Sequence, residues 1–485
     1  MKYIFTLIAV LTLNSGFGQN MDDILRYSFH NSFSTARSAG MGGAFGALGA
    51  DLSSLSSNPA GLGLYRRGDF SFTPNIGGSS ANSNFDGSNS SDSDIHLKVN
   101  SIGFVTTQES TKTTIKKISF GIAYNRLANF NGDFTITGNN SNSLLDLFAG
   151  EAQGIDYLNI YDQGSSGSIL SWDAFLIDTI SGTVDQYSTA IPSGGSFHEV
   201  MVERNGGMGE MLIGGGANLN DRLFWGLTIG LPVVRFREEI THTEAPKNAS
   251  LPLSSFTYTQ NLEVSGGGIN AKVGVLLKAT EKLRVGAVYH TRTVLSLNDT
   301  YSSGISADFQ SNVNTPQDFA GSFDYRIVIP SKLMANMAFI AGKNALVSAD
   351  YEFTNYSTGK LRRSTLAVDP YDFAQENEEA KEAHTETHNV RIGAEFRVAQ
   401  VYRLRLGARY MQNPFSNGAV EPKASSNILM YTIGAGIRKN SFYADVAGIY
   451  SKRDTQHFMY DSSLVNAAQI ETHRFNLMFT IGLRI

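Results

Sequence analysis

Apolar and polar residues alternate one by one along much of this chain. In the C-terminal run, Phe475, Leu477, Phe479, Ile481, Leu483 and Ile485 alternate with Asn476, Met478, Thr480, Gly482 and Arg484. A period of two describes a strand with one greasy face and one face that accepts polar groups. Val390, Ile392, Ala394, Phe396 and Val398 alternate in the same way with Arg391, Gly393, Glu395 and Arg397. Leu223, Trp225, Leu227, Ile229 and Leu231 enclose Phe224, Gly226, Thr228 and Gly230. Further runs begin at Leu283, Val347 and Tyr402. The pattern predicts strands near 69–77, 97–107, 116–136, 209–219, 222–243, 256–279 and 283–297. Others follow near 322–341, 344–357, 386–398, 402–412, 427–439, 441–451 and 472–485. That makes fourteen, an even number, as a closed antiparallel barrel with both ends on one side requires. The segments 256–279 and 322–341 are long enough to divide.

Alternation alone also fits a soluble sandwich. The second face tilts the choice, because it carries Arg391, Arg397, Arg403, Arg405 and Arg409, suited to a wet lumen. A strand that runs to the last residue also resembles the signal read by the barrel-assembly machinery, although that signal usually ends in Phe or Trp rather than Ile485. The expected fold class is therefore all-β, a transmembrane antiparallel β-barrel of about fourteen strands. Its short turns, such as Asn220-Asp221, Thr280-Glu281-Lys282 and Lys439-Asn440, are expected on the periplasmic side. The long segments 137–208, 298–321, 358–385 and 452–471 are expected outside, and 77–94, rich in Gly, Ser, Asn and Asp, as a flexible first extracellular loop. Two of these carry helix signals: Ser143 to Ala149, with a serine cap, and Asp372 to Glu382.

Composition agrees. Of 485 residues, 48 are Gly, 30 Phe and 20 Tyr, with only 17% charged and a mean hydropathy of −0.15. That is too polar for a helical membrane protein and too aromatic for most soluble ones. Lys2 precedes an apolar run from Tyr3 to Leu13, with Gly16 and Gly18 ahead of Gln19, as in a secretory leader. Residues 1–18 are read as that leader, 19–66 as an N-terminal hatch and 67–485 as the barrel. Beyond the leader there is no apolar run long enough for a transmembrane helix. The absence of cysteine excludes disulfides and thiolate chemistry. Without Lys2, 38 basic residues face 44 acidic ones, which does not favour nucleic acid.

The hatch assignment rests on Ser38-Ala39-Gly40-Met41-Gly42-Gly43-Ala44, continuing to Asn58-Pro59-Ala60-Gly61-Leu62. Such small side chains bury too little apolar surface to fold alone, but they allow the backbone to run close to a barrel wall. Pro59 fixes φ and Asn58 can bond its own backbone, so a rigid turn is expected there. With these two motifs, and with strand echoes at Leu283–His290, Asp350–Phe353 and Arg391–Phe396, the sequence resembles the FadL/OmpP1/TodX family of hydrophobic-compound transporters. The resemblance covers most of the chain after residue 18 and omits the long loops. It implies a Gram-negative outer-membrane monomer that passively takes up hydrophobic molecules such as long-chain fatty acids. Its ligand would enter from outside and leave sideways through the wall into outer-membrane lipid. Asn58, Pro59, Ala60 and Gly61 would correspond to hatch elements. Two other branches of the family stay open: a protein-binding subunit of a secretion system and a hemin-binding receptor.

Candidate chemistry is sparse. Arg391, Arg403 and Arg405 could hold a carboxylate bidentately, or with Glu395, Asp350 and Glu352 tie the hatch to the wall. Leu144, Leu147, Phe148 and Phe373 could line an extracellular groove, with Leu144 and Phe148 touching ligand. His384 and His388 flank Glu386 but sit at a loop–strand junction, where a spacing of four separates them. No nucleophile elbow, phosphate loop or dinucleotide fingerprint is found. The expectation is a non-enzyme without cofactor or metal.

Overall fold

At Asn220-Asp221 the chain reverses in two residues, with φ of 54° and 59°. Two successive residues in the left-handed region make the primed turn whose twist matches flanking antiparallel strands. In a computed structural model describing residues 21–29, 33–110, 114–191, 195–310, 312–364, 371–416 and 426–485, a turn of this kind recurs at Asp86-Gly87. The expected leader lies outside the described residues.

Among the described residues the wall is fourteen antiparallel strands. They are β1 (Asp69–Phe85), β2 (Ser88–Glu109), β3 (Ile115–Asn129, resuming at Phe134–Asn140), β4 (Ser196–Leu219) and β5 (Leu223–Pro246). Next come β6 (Leu253–Lys278), β7 (Leu283–His290, then Thr293–Phe309), β8 (Phe319–Ile329, then Lys332–Ala341) and β9 (Ala345–Asn355). The last are β10 (Glu386–Val398), β11 (Tyr402–Met411), β12 (Ile428–Lys439), β13 (Phe442–His457) and β14 (Ala468–Arg484). The circle closes because β14 pairs with β1, from Asp69↔Arg484 to Asn84↔Gln469.

The alternation points outward. Leu223, Trp225, Leu227, Ile229, Leu231 and Val233 are all exposed, whereas Phe224 and Thr228 are fully buried in the interior. The same outward greasy face continues on Leu404 and Leu406 of β11, Ile433 of β12, and Phe475 and Ile481 of β14. In a soluble sandwich these residues would be the core. Here the core lies inside the ring, and no helix among the described residues is long and apolar enough to cross a membrane.

Beyond Val233, the outward positions of β5 change to Arg235 and Arg237. The apolar belt therefore spans Leu223–Val233, close to the ~9–11 residues a tilted strand needs to cross hydrocarbon. The strands run well past that belt, which corrects the expected loops. Residues 77–94 form a continuous hairpin turning at Asp86-Gly87 (φ 47° and 92°), rather than a flexible loop. Most of 298–321, and the two ends of 137–208 and of 452–471, are likewise strand. Ser, Asn and Asp disfavour strands locally, but in-register pairing with a neighbour overrides that preference. Both expected helices are present, as Leu144–Ala152 capped by Ser143 and as Ala374–Ala383.

The wall has local breaks. β8 divides at Pro330-Ser331, within one of the two segments long enough to split, while 256–279 runs through unbroken. β7 divides beside it at Thr291-Arg292, and β3 at residues 130–133. Pairing between β2 and β3 ends at Ser101↔Asn125, after which β3 pairs only with β4.

Because Leu227 lies midway along the belt of β5, Leu227→Arg should destabilise the barrel by about 2–4 kcal/mol. Urea titration in lipid vesicles, read by Trp225 fluorescence, measures this. A loss below about 0.5 kcal/mol would contradict a lipid-facing position.

Candidate functional site

The hatch threads the ring. Helix α1 (Met21–Ser28) and a single helical turn at Ala36–Ala39 precede two 3-10 turns, Leu52–Leu55 and Pro59–Leu64. Asn58 starts the last of these: its Oδ1 accepts from the Ala60 N–H at 3.0 Å, and its Nδ2 donates to the Gly46 carbonyl at 2.9 Å. Pro59 occupies the first turn, where its missing N–H is not needed. The four residues Asn58, Pro59, Ala60 and Gly61 are buried. The wall opposite them is glycine: a side chain at Gly226 would collide with the Pro59 carbonyl, and one at Gly274 with Asn58. Higher in the hatch, a side chain at Gly407 would strike the backbone of Met41 and Gly42.

Wall side chains supply partners for the hatch backbone. Asp350 Oδ2 accepts from the N–H groups of Phe45 and Gly46, each at 2.9 Å. Thr432 accepts from Gly42 at 3.0 Å and Thr480 from Ala36 at 2.8 Å. Arg405, fully buried, donates to Glu395 and to Asp445, both at 2.7 Å, and Glu395 also meets Arg37 of the hatch at 3.4 Å. Arg391 is ion-paired with Glu352. Arg403 donates to the carbonyls of Gln400 and Tyr402 near a turn. Arg391, Arg403 and Arg405 thus contact separate carboxylates and backbone groups, and it is Glu395, shared by Arg405 and Arg37, that ties hatch to wall.

Leu144 and Phe148 lie elsewhere. Their helix covers the tall ends of β6 and β7, where they pack with Phe256, Tyr258 and Ile305. Phe373 belongs to a separate cluster with Ile24, Tyr27 and Tyr325, so these aromatics do not line one groove. His384 is buried and stacks edge-on with Phe415, while His388 faces outward beside Tyr351.

Above the hatch, one face of α1 leaves a cavity of about 330 Å³. Leu25, Arg26 and Phe29 form its floor, and Phe134, Phe236, Ile428 and Ile470 contribute apolar wall. The break at 130–133 forms one side of it: Phe130, Gly132 and Asp133 all line the space. Across that break β2 stays paired with β1 but not with β3, and among the described residues side chains span the gap, with Lys98 reaching Asn129 and Asn131 and Asn129 reaching His96. Two arginines on adjoining strands enter the cavity, Arg453 and Arg474. Neither meets a carboxylate among the described residues. Arg453 lies over the Phe29 ring at 5.9 Å, and Arg474 donates to the Asn131 carbonyl at 3.4 Å, beside the break.

The sequence profile of the outer membrane protein transport protein family (OMPP1/FadL/TodX) matches residues 207–475, more than half of the chain. The chain belongs to that family. As an OMPP1/FadL/TodX protein it resides in the outer membrane of Gram-negative bacteria, in a family that transports hydrophobic compounds. Its fold is similar to that of a FadL homologue from Pseudomonas aeruginosa, at 12% identity and a TM-score of 0.58, covering 94% of this chain and 99% of the other. It is also similar to the Pseudomonas putida toluene transporter TodX (13%, TM-score 0.54, coverage 94% and 98%). The Ralstonia pickettii toluene transporter TbuX compares similarly (16%, 0.51, 93% and 98%). No curated protein matches the sequence significantly.

The cavity arginines escape the sequence pattern because residue 453 falls where loop is expected. The overlooked signal is that alternation continues past 451, with Arg453 and Thr455 inward and Lys452 and Asp454 outward, and no glycine or proline intervenes. Asn58→Ala should remove two buried hydrogen bonds of the hatch and loosen it by about 1–2 kcal/mol while the ring still assembles. Faster proteolysis within residues 33–66, with unchanged heat-dependent migration in electrophoresis, is the expected result. A ring that no longer assembles would assign Asn58 to barrel folding instead.

Proposed function

We propose that this protein carries amphiphilic hydrophobic molecules, long-chain fatty acids first among them, passively through the outer membrane. The observation that carries this reading is the 330 Å³ cavity whose wall is the interrupted strand β3. Its volume falls within the range of about 300–1,000 Å³ usual for small-molecule pockets. An alkyl chain fits the surface of Phe29, Phe134, Phe236 and Ile470, while a carboxylate suits Arg453 and Arg474, whose charge no acid neutralises among the described residues. A ligand there needs only to pass the side chains bridging β2 and β3 to reach lipid. The known relatives named for toluene act on an uncharged molecule, and the two arginines are the feature that selects an anionic head here. The protein acts as a conduit rather than a catalyst, working as a monomer without cofactor.

The test is uptake of labelled oleate by a deletion strain complemented with variants. Arg453→Ala with Arg474→Ala should lower uptake about tenfold, the equivalent of about 1.4 kcal/mol in binding, while leaving toluene entry unchanged. Oleate uptake equal to wild type in the deletion strain itself would end this reading.

A further inference from the structure

We infer that the extracellular cap of this barrel contains a transition-metal site, zinc being the ion that fits best, built from His198, His242 and Glu244. These residues do not line the cavity beside β3. They lie on the tall ends of β4 and β5, beyond the belt that ends at Val233, and face inward beneath the loop helix Leu144–Ala152. All three are buried. His198 Nδ1 is 3.1 Å from His242 Nε2 and 3.2 Å from Glu244 Oε1, and the last two atoms are 3.1 Å apart. Tetrahedral zinc with bonds of about 2.0–2.1 Å requires donor separations of about 3.3–3.4 Å, so these three atoms already stand close to coordinating positions.

Hydrogen bonding alone serves this triangle poorly. The Ser196 hydroxyl donates its only proton to Glu244 Oε2 at 2.8 Å. It can therefore only accept from His198 Nε2, 2.9 Å away, which places the ring proton on Nε2 and leaves Nδ1 as a bare lone pair in the neutral imidazole. One proton, on His242 Nε2, then lies between two facing acceptors, His198 Nδ1 and Glu244 Oε1. A cation at the centre satisfies all three together. The surrounding contacts are those that orient metal ligands: Ser196 holds His198, and Ser143 Oγ and the Leu144 N–H donate to Glu244 at 2.6 and 2.7 Å. Tyr460 stacks on both imidazoles, 6.0 and 5.8 Å between centroids, and its hydroxyl is fixed by Asn140 and Asn142.

Two imidazoles and one carboxylate suit zinc among the common ions, and three protein ligands leave a fourth position for water. The ion would join β4, β5, the start of the loop helix and the loop bearing Tyr460, holding the cap rather than performing chemistry. The sequence signal is His242-Thr243-Glu244, since a spacing of two places both donors on one face of a strand.

The experiment loads detergent-purified full-length protein with zinc, removes excess by gel filtration and measures bound metal by mass spectrometry. Wild type should retain one zinc per chain, and His242→Gln and His198→Gln should retain about tenfold less. Heat-dependent migration of both variants should match wild type, showing that the barrel is intact. Cobalt loading provides a second readout: wild type should show the visible absorption of a tetrahedral ion, and His242→Gln should not. Wild type that holds no zinc after loading, or variants that hold as much as wild type, would overturn the proposal. Oleate uptake is not part of the readout, so this outcome is independent of the transport reading.

Discussion

Hydrocarbon offers no hydrogen bonds, so every backbone N–H and C=O that faces lipid must find its partner within the protein. Closure of β14 onto β1 meets that demand around the ring. Outward side chains are then free to be greasy, and inward ones are free to be whatever the lumen requires. The chain can afford Arg405, Glu395 and Asp445 in its interior because the ring, rather than an apolar core, keeps the strands together.

The lumen is filled by backbone more than by side chains. Glycines at 226, 274 and 407 allow the hatch to lie directly on the wall, at distances any larger residue would forbid. The small hatch residues that could not form a domain alone are stabilised instead by wall groups such as Asp350, Thr432 and Thr480 accepting their N–H bonds. Buried charges in such a place are strongly destabilising if one partner is lost, which fixes the hatch in one register.

Unpaired strand edge is tolerated only where it opens toward polar side chains or a lumen. The interruption of β3 meets that condition, because Lys98, Asn129 and Asn131 cover it and a cavity lies behind it. The place where the wall gives up its pairing is therefore also a place where the cavity is bounded by side chains rather than by paired backbone. Arg453 and Arg474 stand at that place because two strands continue above the membrane belt and tilt their polar faces inward.

Much of this was legible in the chain. The period of two determined which residues face lipid, the even count of strands was compatible with closure, and Asn58-Pro59-Ala60-Gly61 specified a capped turn within a segment too small-featured to fold alone. These are local properties, set by neighbours one to four residues away. Strand length above the belt, the loss of pairing at residue 126, the ties from Arg405 to Asp445 and Arg37 to Glu395, and the meeting of His198 with His242 were decided only by tertiary structure. Each depends on register between strands or segments distant in sequence. Register is set by the whole ring at once, so no single stretch of residues contains it.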